Sequence, residues 1–145
     1  MKPLPDPIRA LLDEHHVLSL AVCFGDVPWA ANAFYTFDAA ENRLLLLGSR
    51  DTRHGEMLLA NRYAAGTIAG QQRVISEVRG LQFYGPARIL EDDGERRAAL
   101  GLYLRRFPEA RGMVAPAWEI QLLQLKLTDN RLGFGTKILW DRHGE

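Results

Sequence analysis

Apolar and polar positions change period several times along the chain, and each change marks an element. Asp6-Pro7 reads as a helix start with proline at the first helical position. Ile8, Leu11 and Leu12 continue it as an apolar stripe that ends near His15-His16. Val17 to Phe24 predicts an apolar strand, with Gly25-Asp26 as its turn. Pro28 to Phe37 predicts a second strand, closed by the polar stretch 38–42, and Arg43 to Leu47 a third. Beyond Gly48 a polar turn opens a helix that runs to about Asn61. Ala64 to Ala69 predicts a short strand with Gly70-Gln-Gln72 as its turn. Val74 to Ile89 predicts a long strand or bent pair, with Gly80 and Gly85-Pro86 at bulges or edges. Glu91-Asp-Asp-Gly94 then opens a helix with Leu100, Tyr103, Leu104 and Phe107 at helical spacing, ended by Arg105-Arg106 and Pro108.

Towards the C-terminal end the alternation changes parity. Trp118, Ile120 and Leu122 alternate on one phase, and Leu123, Leu125 and Leu127 on the other. A parity shift would turn the apolar set to the opposite face, so a bulge is predicted near Leu122-Leu123. Asp129-Asn130 reads as a two-residue hairpin turn into a strand from Leu132 to Trp140. Six or seven short strands joined by tight turns, with three short helices, predict a small antiparallel barrel with peripheral helices. The class is β-dominated α+β.

The 145 residues fit a single domain, 1–145, and 47% apolar composition supports a real core. Lys plus Arg balance Asp plus Glu at 18 each, so no general attraction to nucleic acid or to an anionic membrane is expected. Any anion site must be local. Cys23 is the only cysteine, which excludes an internal disulfide, and its strand position suggests a small core hydrophobe. The N-terminal residues lack an apolar signal-peptide segment and no apolar run is long enough to span a bilayer, so the cytoplasm is expected.

One segment carries candidate chemistry. In Ser49-Arg-Asp-Thr-Arg-His54, Asp51 is read as the N-cap, with Thr52, Arg53 and His54 in the first helical turn. The N-terminus of a helix already carries about half a positive charge, so cations there suit a bound anion such as phosphate. The alternative is that Arg53 and His54 point into solvent, or that Arg53 pairs with Glu56 or Asp51. The neighbouring strand brings Trp29, Asn32, Phe34 and Tyr35, an aromatic wall with one amide that suits a flat ring. Together the two features suit a ligand with a planar ring and a phosphate tail.

Other constellations are weaker. His15-His16 lacks the spacing that places two metal ligands on one helix face, and no metal is expected. No serine lies in a nucleophile elbow, and no catalytic residue is assigned. Gly133-Phe-Gly135-Thr-Lys137 lacks the spacing of a phosphate loop and is placed inside a hairpin strand, although Lys137 could face a ligand.

Several motifs then resemble a known family. They are Ala31-Asn-Ala-Phe-Tyr35 with Phe37-Asp-Ala39, Thr52-Arg-His54, Ala65-Gly-Thr67 with Gly70-Gln71, and Arg79-Gly-Leu-Gln-Phe83 with Gly85. Arg105-Arg-Phe-Pro108, Trp118-Glu-Ile120, Thr128-Asp-Asn130 and Leu132-Gly-Phe-Gly135 continue the likeness over nearly the whole chain. The chain resembles the pyridoxamine 5'-phosphate oxidase-like FMN-binding split barrels, and within them the small YhbP-like proteins. The resemblance implies a six- to seven-stranded antiparallel split β-barrel and a homodimer with FMN at the subunit interface. Thr52, Arg53 and His54, with Ser49 beside them, match the run that grips the FMN phosphate, with His54 in place of a lysine. Asn32, Ala33 and Phe34 would lie along the isoalloxazine and ribityl chain. Gln71 or Gln72, and Gln82, would donate from the opposite chain or strand. The chain departs from the oxidases in its second strand and lacks their C-terminal Arg-Leu-x-Pro ending. The resemblance therefore points to an FMN-binding flavoprotein, an oxidoreductase of unknown substrate, and not to pyridoxamine phosphate oxidation. The alternatives are a non-enzymatic flavin- or phosphate-ligand-binding module and a barrel that has lost its cofactor.

Overall fold

Every strand pairing in the structure is antiparallel, as tight turns between successive apolar strands require. The structure, a computed structural model, describes residues 2–144. Helix α1 (Asp6–Glu14) precedes the strands β1 (Val17–Phe24), β2 (Val27–Phe34), β3 (Thr36–Asp38) and β4 (Arg43–Leu47). Helix α2 (Arg53–Ala60) leads to β5 (Tyr63–Ala69) and β6 (Arg79–Ile89), and α3 (Asp93–Arg106) to β7 (Ala117–Gln121), β8 (Gln124–Asp129) and β9 (Lys137–Asp141).

Strand β6 organises the barrel. One of its edges pairs with β5 from Gly80 to Pro86. Its other edge takes β8 along 79–84 and then β7 along 87–89, so two strands in series share one long partner. The sheet runs β2-β1-β5-β6-β7-β4-β3, with β8 and β9 branching from β6. The apolar parity shift read from the sequence falls where the branch opens. Leu122 is fully buried, Leu123 is half-buried, and the backbone N–H of Leu123 donates to the carbonyl of Tyr84. Gly85 lies beneath this break, where an added Cβ would stand 1.7 Å from the carbonyl oxygen of Gln121.

Ile8, Leu11 and Leu12 of α1 enter the main core with Leu18, Leu20 and Leu44. Helix α3 covers a smaller cluster of Leu45, Leu90, Ala99 and Ala117 on the β4/β7 side. The β-dominated split barrel with peripheral helices is thus observed, with nine strands among the described residues instead of six or seven. Two expected strands are each divided. Tyr35 turns fully into the core and donates its hydroxyl hydrogen bond to the carbonyl of Leu12, which separates β2 from β3. The break at 122–123 separates β7 from β8.

Four expectations are corrected. The strand expected from Val74 starts at Arg79, because Ile75–Glu77 form a 3-10 turn whose backbone Asn130 ties down through its amide and its N–H. The hairpin expected at Asp129-Asn130 is a 3-10 turn over Asn130–Leu132, capped by the Asp129 carboxylate. Strand β9 starts only at Lys137, so Gly133-Phe-Gly135 is a loop, with φ of 124° and 71° at its glycines. Cys23 is exposed, because Val22 takes the inward position beside it.

Candidate anion and cofactor site

The start of α2 is shaped by Thr52, not Asp51. Thr52 has extended backbone angles, and its Oγ1 accepts from the N–H of Gly55 at 3.0 Å, as an N-cap does. Asp51 lies one residue outside the cap, where its N–H donates to Ser49 Oγ. The Thr52 hydroxyl donates to the carbonyl of Ser49 at 3.2 Å, which fixes the turn. Gly55 is required here, since a Cβ would stand 2.6 Å from the Ser49 carbonyl oxygen. With Thr52 as cap, the N–H groups of Arg53 and His54 begin the helix and have no intrahelical acceptor.

Three side chains gather at this end. Nε2 of His54 lies 3.4 Å from Thr52 Oγ1, and partial burial pushes the imidazole pKa below its ordinary value. His54 is therefore neutral at pH 7 and supplies a hydrogen-bonding edge without charge. Arg53 pairs with neither Asp51 nor Glu56. Its guanidinium carbon lies 3.9 Å from the ring centroid of Trp29 on β2. Arg50, by contrast, is bound to Glu91 at 2.8 Å. Among the described residues, Arg53 is thus the cation of this turn without an ion-pair partner.

The aromatic wall read from the sequence is divided by the strand pleat. Trp29, Ala31 and Ala33 face inward, opposite the buried Val22, Leu20 and Leu18 of β1. Asn32 and Phe34 face outward, and Tyr35 is in the core. The outward face carries a cross-strand row from Asn32 through Ser19, Thr67 and Gln82 to Lys126. Gln82 lines a concave cavity of about 820 Å³ on this face, with Ala65, Thr67, Tyr84, Gln124 and Lys126. Of the candidate residues, Thr52, Arg53, His54 and Ser49 come together at α2. Gln82 stands about 14 Å along the sheet from Asn32, three strand spacings. Gln71 and Gln72 are exposed in the loop after β5, and Lys137 Nζ donates to Thr128 Oγ1 at 3.1 Å. Sequence reading did not single out Thr67, Tyr84 or Lys126. Only their shared parity across three strands connects them, and that requires the register. Among the described residues no three His, Cys, Asp or Glu side chains are grouped to hold a metal ion.

No family model matches the chain. A UPF0306 protein from Serratia proteamaculans is 44% identical over 135 residues, spanning 93% of each chain. The chain belongs to the UPF0306 family. A second UPF0306 member, from Yersinia pseudotuberculosis, is 42% identical over 135 residues, 93% of this chain and 91% of its own. Solved structures similar to this UPF0306 chain include a heme binding protein from Mycobacterium smegmatis, with TM-score 0.79 and 19% identity. That match covers 97% of this chain and 59% of the other. A FAD-binding protein from Mesorhizobium loti superposes with TM-score 0.69 and 13% identity, covering 87% and 95%. A provisionally assigned pyridoxamine 5'-phosphate oxidase from Listeria innocua gives TM-score 0.68 and 19% identity, covering 84% and 95%. The UPF0306 chain therefore has the pyridoxamine 5'-phosphate oxidase-like split-barrel fold.

Proposed function

We propose that this UPF0306 chain binds flavin mononucleotide, with the phosphate at the start of α2, and that it acts as a homodimeric oxidoreductase in the cytoplasm. The observation that carries the reading is Arg53, a cation without a carboxylate partner at a helix start that also presents the unpaired N–H groups of Arg53 and His54. This donor set fits a phosphate monoester: a planar fork, two backbone donors and a neutral imidazole edge. The turn is rigid before any ligand arrives, because the Thr52–Ser49 and Thr52–Gly55 bonds hold it. The FAD-binding neighbour and the likeness to YhbP-like split barrels favour a flavin over other phosphate esters. When bound, a flavin supplies the hydride or electron chemistry, and the protein supplies position and electrostatics.

A single chain does not gather all the donors. Arg53 stands with Trp29 on the inward side of β2, and Gln82 lies on the outward face of the same sheet. A ligand that meets both kinds of residue is accommodated where the outward face of a second copy approaches α2. This supports a cofactor between two protomers.

The test is titration of the purified protein with FMN, followed by flavin fluorescence, on the wild type and on Arg53→Ala. A charge-assisted hydrogen bond contributes about 1.5–3 kcal/mol, so the variant should bind roughly tenfold to a hundredfold more weakly. No FMN binding by the wild type at tens of micromolar, or equal binding by Arg53→Ala, overturns the reading. A parallel titration with hemin examines the ligand named for the Mycobacterium smegmatis neighbour. Among the described residues the cavity lining contains no histidine, cysteine or methionine, and Tyr84 is its one side chain of a type that ligates haem iron. FMN binding without reduction by NADH or NADPH would assign the protein to the non-enzymatic flavin-binding class.

A further inference from the structure

Among the described residues four arginines lie over aromatic rings, and one contact differs from the rest. Arg9 over Phe37, Arg62 over Tyr63 and Arg106 over Tyr35 lie 5.1–5.4 Å from the ring centroids. The Arg53 guanidinium carbon lies over the Trp29 ring, 3.9 Å from its centroid, too close for an N–H to point straight into the ring, so the group lies across the face of the residue type that binds cations best. Arg9 and Arg106 have further partners, Asp13 for the first and backbone carbonyls for the second. Arg62 reaches the Tyr63 hydroxyl. Among the described residues the Arg53 guanidinium has no hydrogen-bond or ion-pair partner, and its ring contact is with Trp29.

A guanidinium carries its five N–H donors in its own plane. Stacking through the face therefore holds the group in place while consuming none of them. Pairing with a carboxylate, as Arg43 and Arg88 do on Glu119, consumes the donors and neutralises the charge. A long, rotamer-rich side chain with no partner would lose entropy on gripping an anion. Trp29 removes part of that loss beforehand, because β2 and α2 fix the two partners from separate elements. Trp29 is 43% exposed, so one part of its ring is open to the arginine and to solvent.

We propose that Trp29 is a positioning residue of the anion site: its indole face holds the Arg53 guanidinium with all donors free, and it thereby sets the preference for a phosphorylated flavin over the same ring system without phosphate. The inference rests on the reading of α2 as the phosphate grip. Trp29 itself need not touch the ligand, and its effect passes through Arg53.

The experiment compares dissociation constants for FMN and for riboflavin in the wild type, Arg53→Ala, Trp29→Leu and Trp29→Phe. Thermal unfolding of each variant confirms that it is folded. Trp29→Leu is expected to weaken FMN binding about fivefold to tenfold while leaving riboflavin binding unchanged. Trp29→Phe, which keeps an aromatic face, is expected to recover most of the lost preference. In the double variant Trp29→Leu/Arg53→Ala, the tryptophan change should add nothing to the arginine change. Equal weakening of FMN and riboflavin by Trp29→Leu would overturn the proposal, since the indole would then be contacting the ring. Unaltered FMN binding in Trp29→Leu beside weakened binding in Arg53→Ala would also overturn it and leave the phosphate site standing. If Arg53→Ala binds FMN as the wild type does, the phosphate site fails and this inference fails with it.

Discussion

At the scale of single residues, the α2 start shows how a one-position change of cap alters the chemistry available. With Asp51 as cap, a carboxylate would occupy the site and repel an anion. With Thr52 as cap, a neutral hydroxyl bonds Gly55 and the acid lies outside. Aspartate and threonine are both favoured cap residues, and here the Thr52–Ser49 bond folds the turn back on itself with Thr52 at the cap. Thr52→Ala should lower stability by about 1 kcal/mol, with Thr52→Ser close to wild type, in urea denaturation. A second residue-scale expectation concerns acid. The Arg79 hydrogen bond holds the Glu14 carboxyl below its ordinary pKa, and the Arg131 hydrogen bond does the same for Asp129, which is buried. A carboxyl whose folded pKa is depressed contributes stability that is present above its unfolded value and lost as pH falls through the folded one. These two carboxyls should therefore hold their contribution above about pH 5 and lose it progressively below about pH 4, while the depressed His54 imidazole adds a separate fall as pH drops below about 6.5. Asp129→Asn should be less stable at neutral pH and show a shallower fall in acid, read from urea midpoints between pH 7 and pH 3.

At the scale of elements, the break between β7 and β8 was legible because two apolar sets of opposite parity cannot share one face. The outer limits of β1 and β4 were equally plain, since Gly25-Asp26 and the apolar run 44–47 bound them on physical grounds. Tyr35 was not legible. It continues the alternating pattern of a strand, and only the fold shows that its hydroxyl reaches α1 and its ring leaves the sheet. The segment 74–78 misled for a related reason: Val74, Ile75 and Val78 have strand propensity, yet no neighbouring strand reaches them and they are exposed. The candidate site followed the same rule. Its local part, Ser49 to His54, was read from contiguous residues, whereas the Trp29–Arg53 stack and the outward row through Thr67 and Gln82 depend on register between distant strands. The break also makes a sharp prediction at Gly85. A methyl group there would collide with backbone, not with a movable side chain. Gly85→Ala should cost about 3 kcal/mol, near the upper end for overpacking, or abolish folding, as measured by thermal and urea denaturation.

At the scale of the whole molecule, the outward face of β2, β1, β5, β6, β8 and β9 is the feature that a lone protomer does not explain. A solvated face of an antiparallel sheet alternates to polar residues. Here it exposes Phe34, Tyr63, Tyr84 and Leu139, together with the small residues Ala21, Ala30 and Ala65. Small side chains let a second sheet or helix approach closely, and the exposed Phe34, Tyr63, Tyr84 and Leu139 are the side chains that a proposed interface of about 800 Å² per partner would cover. Thr67 stands in the middle of this face, between Ser19 and Gln82, and borders the cavity. Its side chain contributes nothing to the core, so replacement by arginine should leave the monomer folded. A long cation at the centre of a close sheet contact would have to be desolvated without a partner, which is strongly unfavourable. Thr67→Arg is therefore expected to convert a species of two chains into one, as read by analytical ultracentrifugation at micromolar concentration, with cooperative thermal unfolding retained. If the cofactor lies between protomers, the same variant should also lose FMN binding although Arg53 and Thr52 are untouched. A wild type that sediments as a single chain at high micromolar concentration with FMN present would remove the dimer from the proposal. A Thr67→Arg variant that stays dimeric would move the contact to another face. Loss of FMN in a variant whose phosphate grip is intact would tie the ligand to the assembly, because no single chain brings α2 and Gln82 to the same side of the sheet.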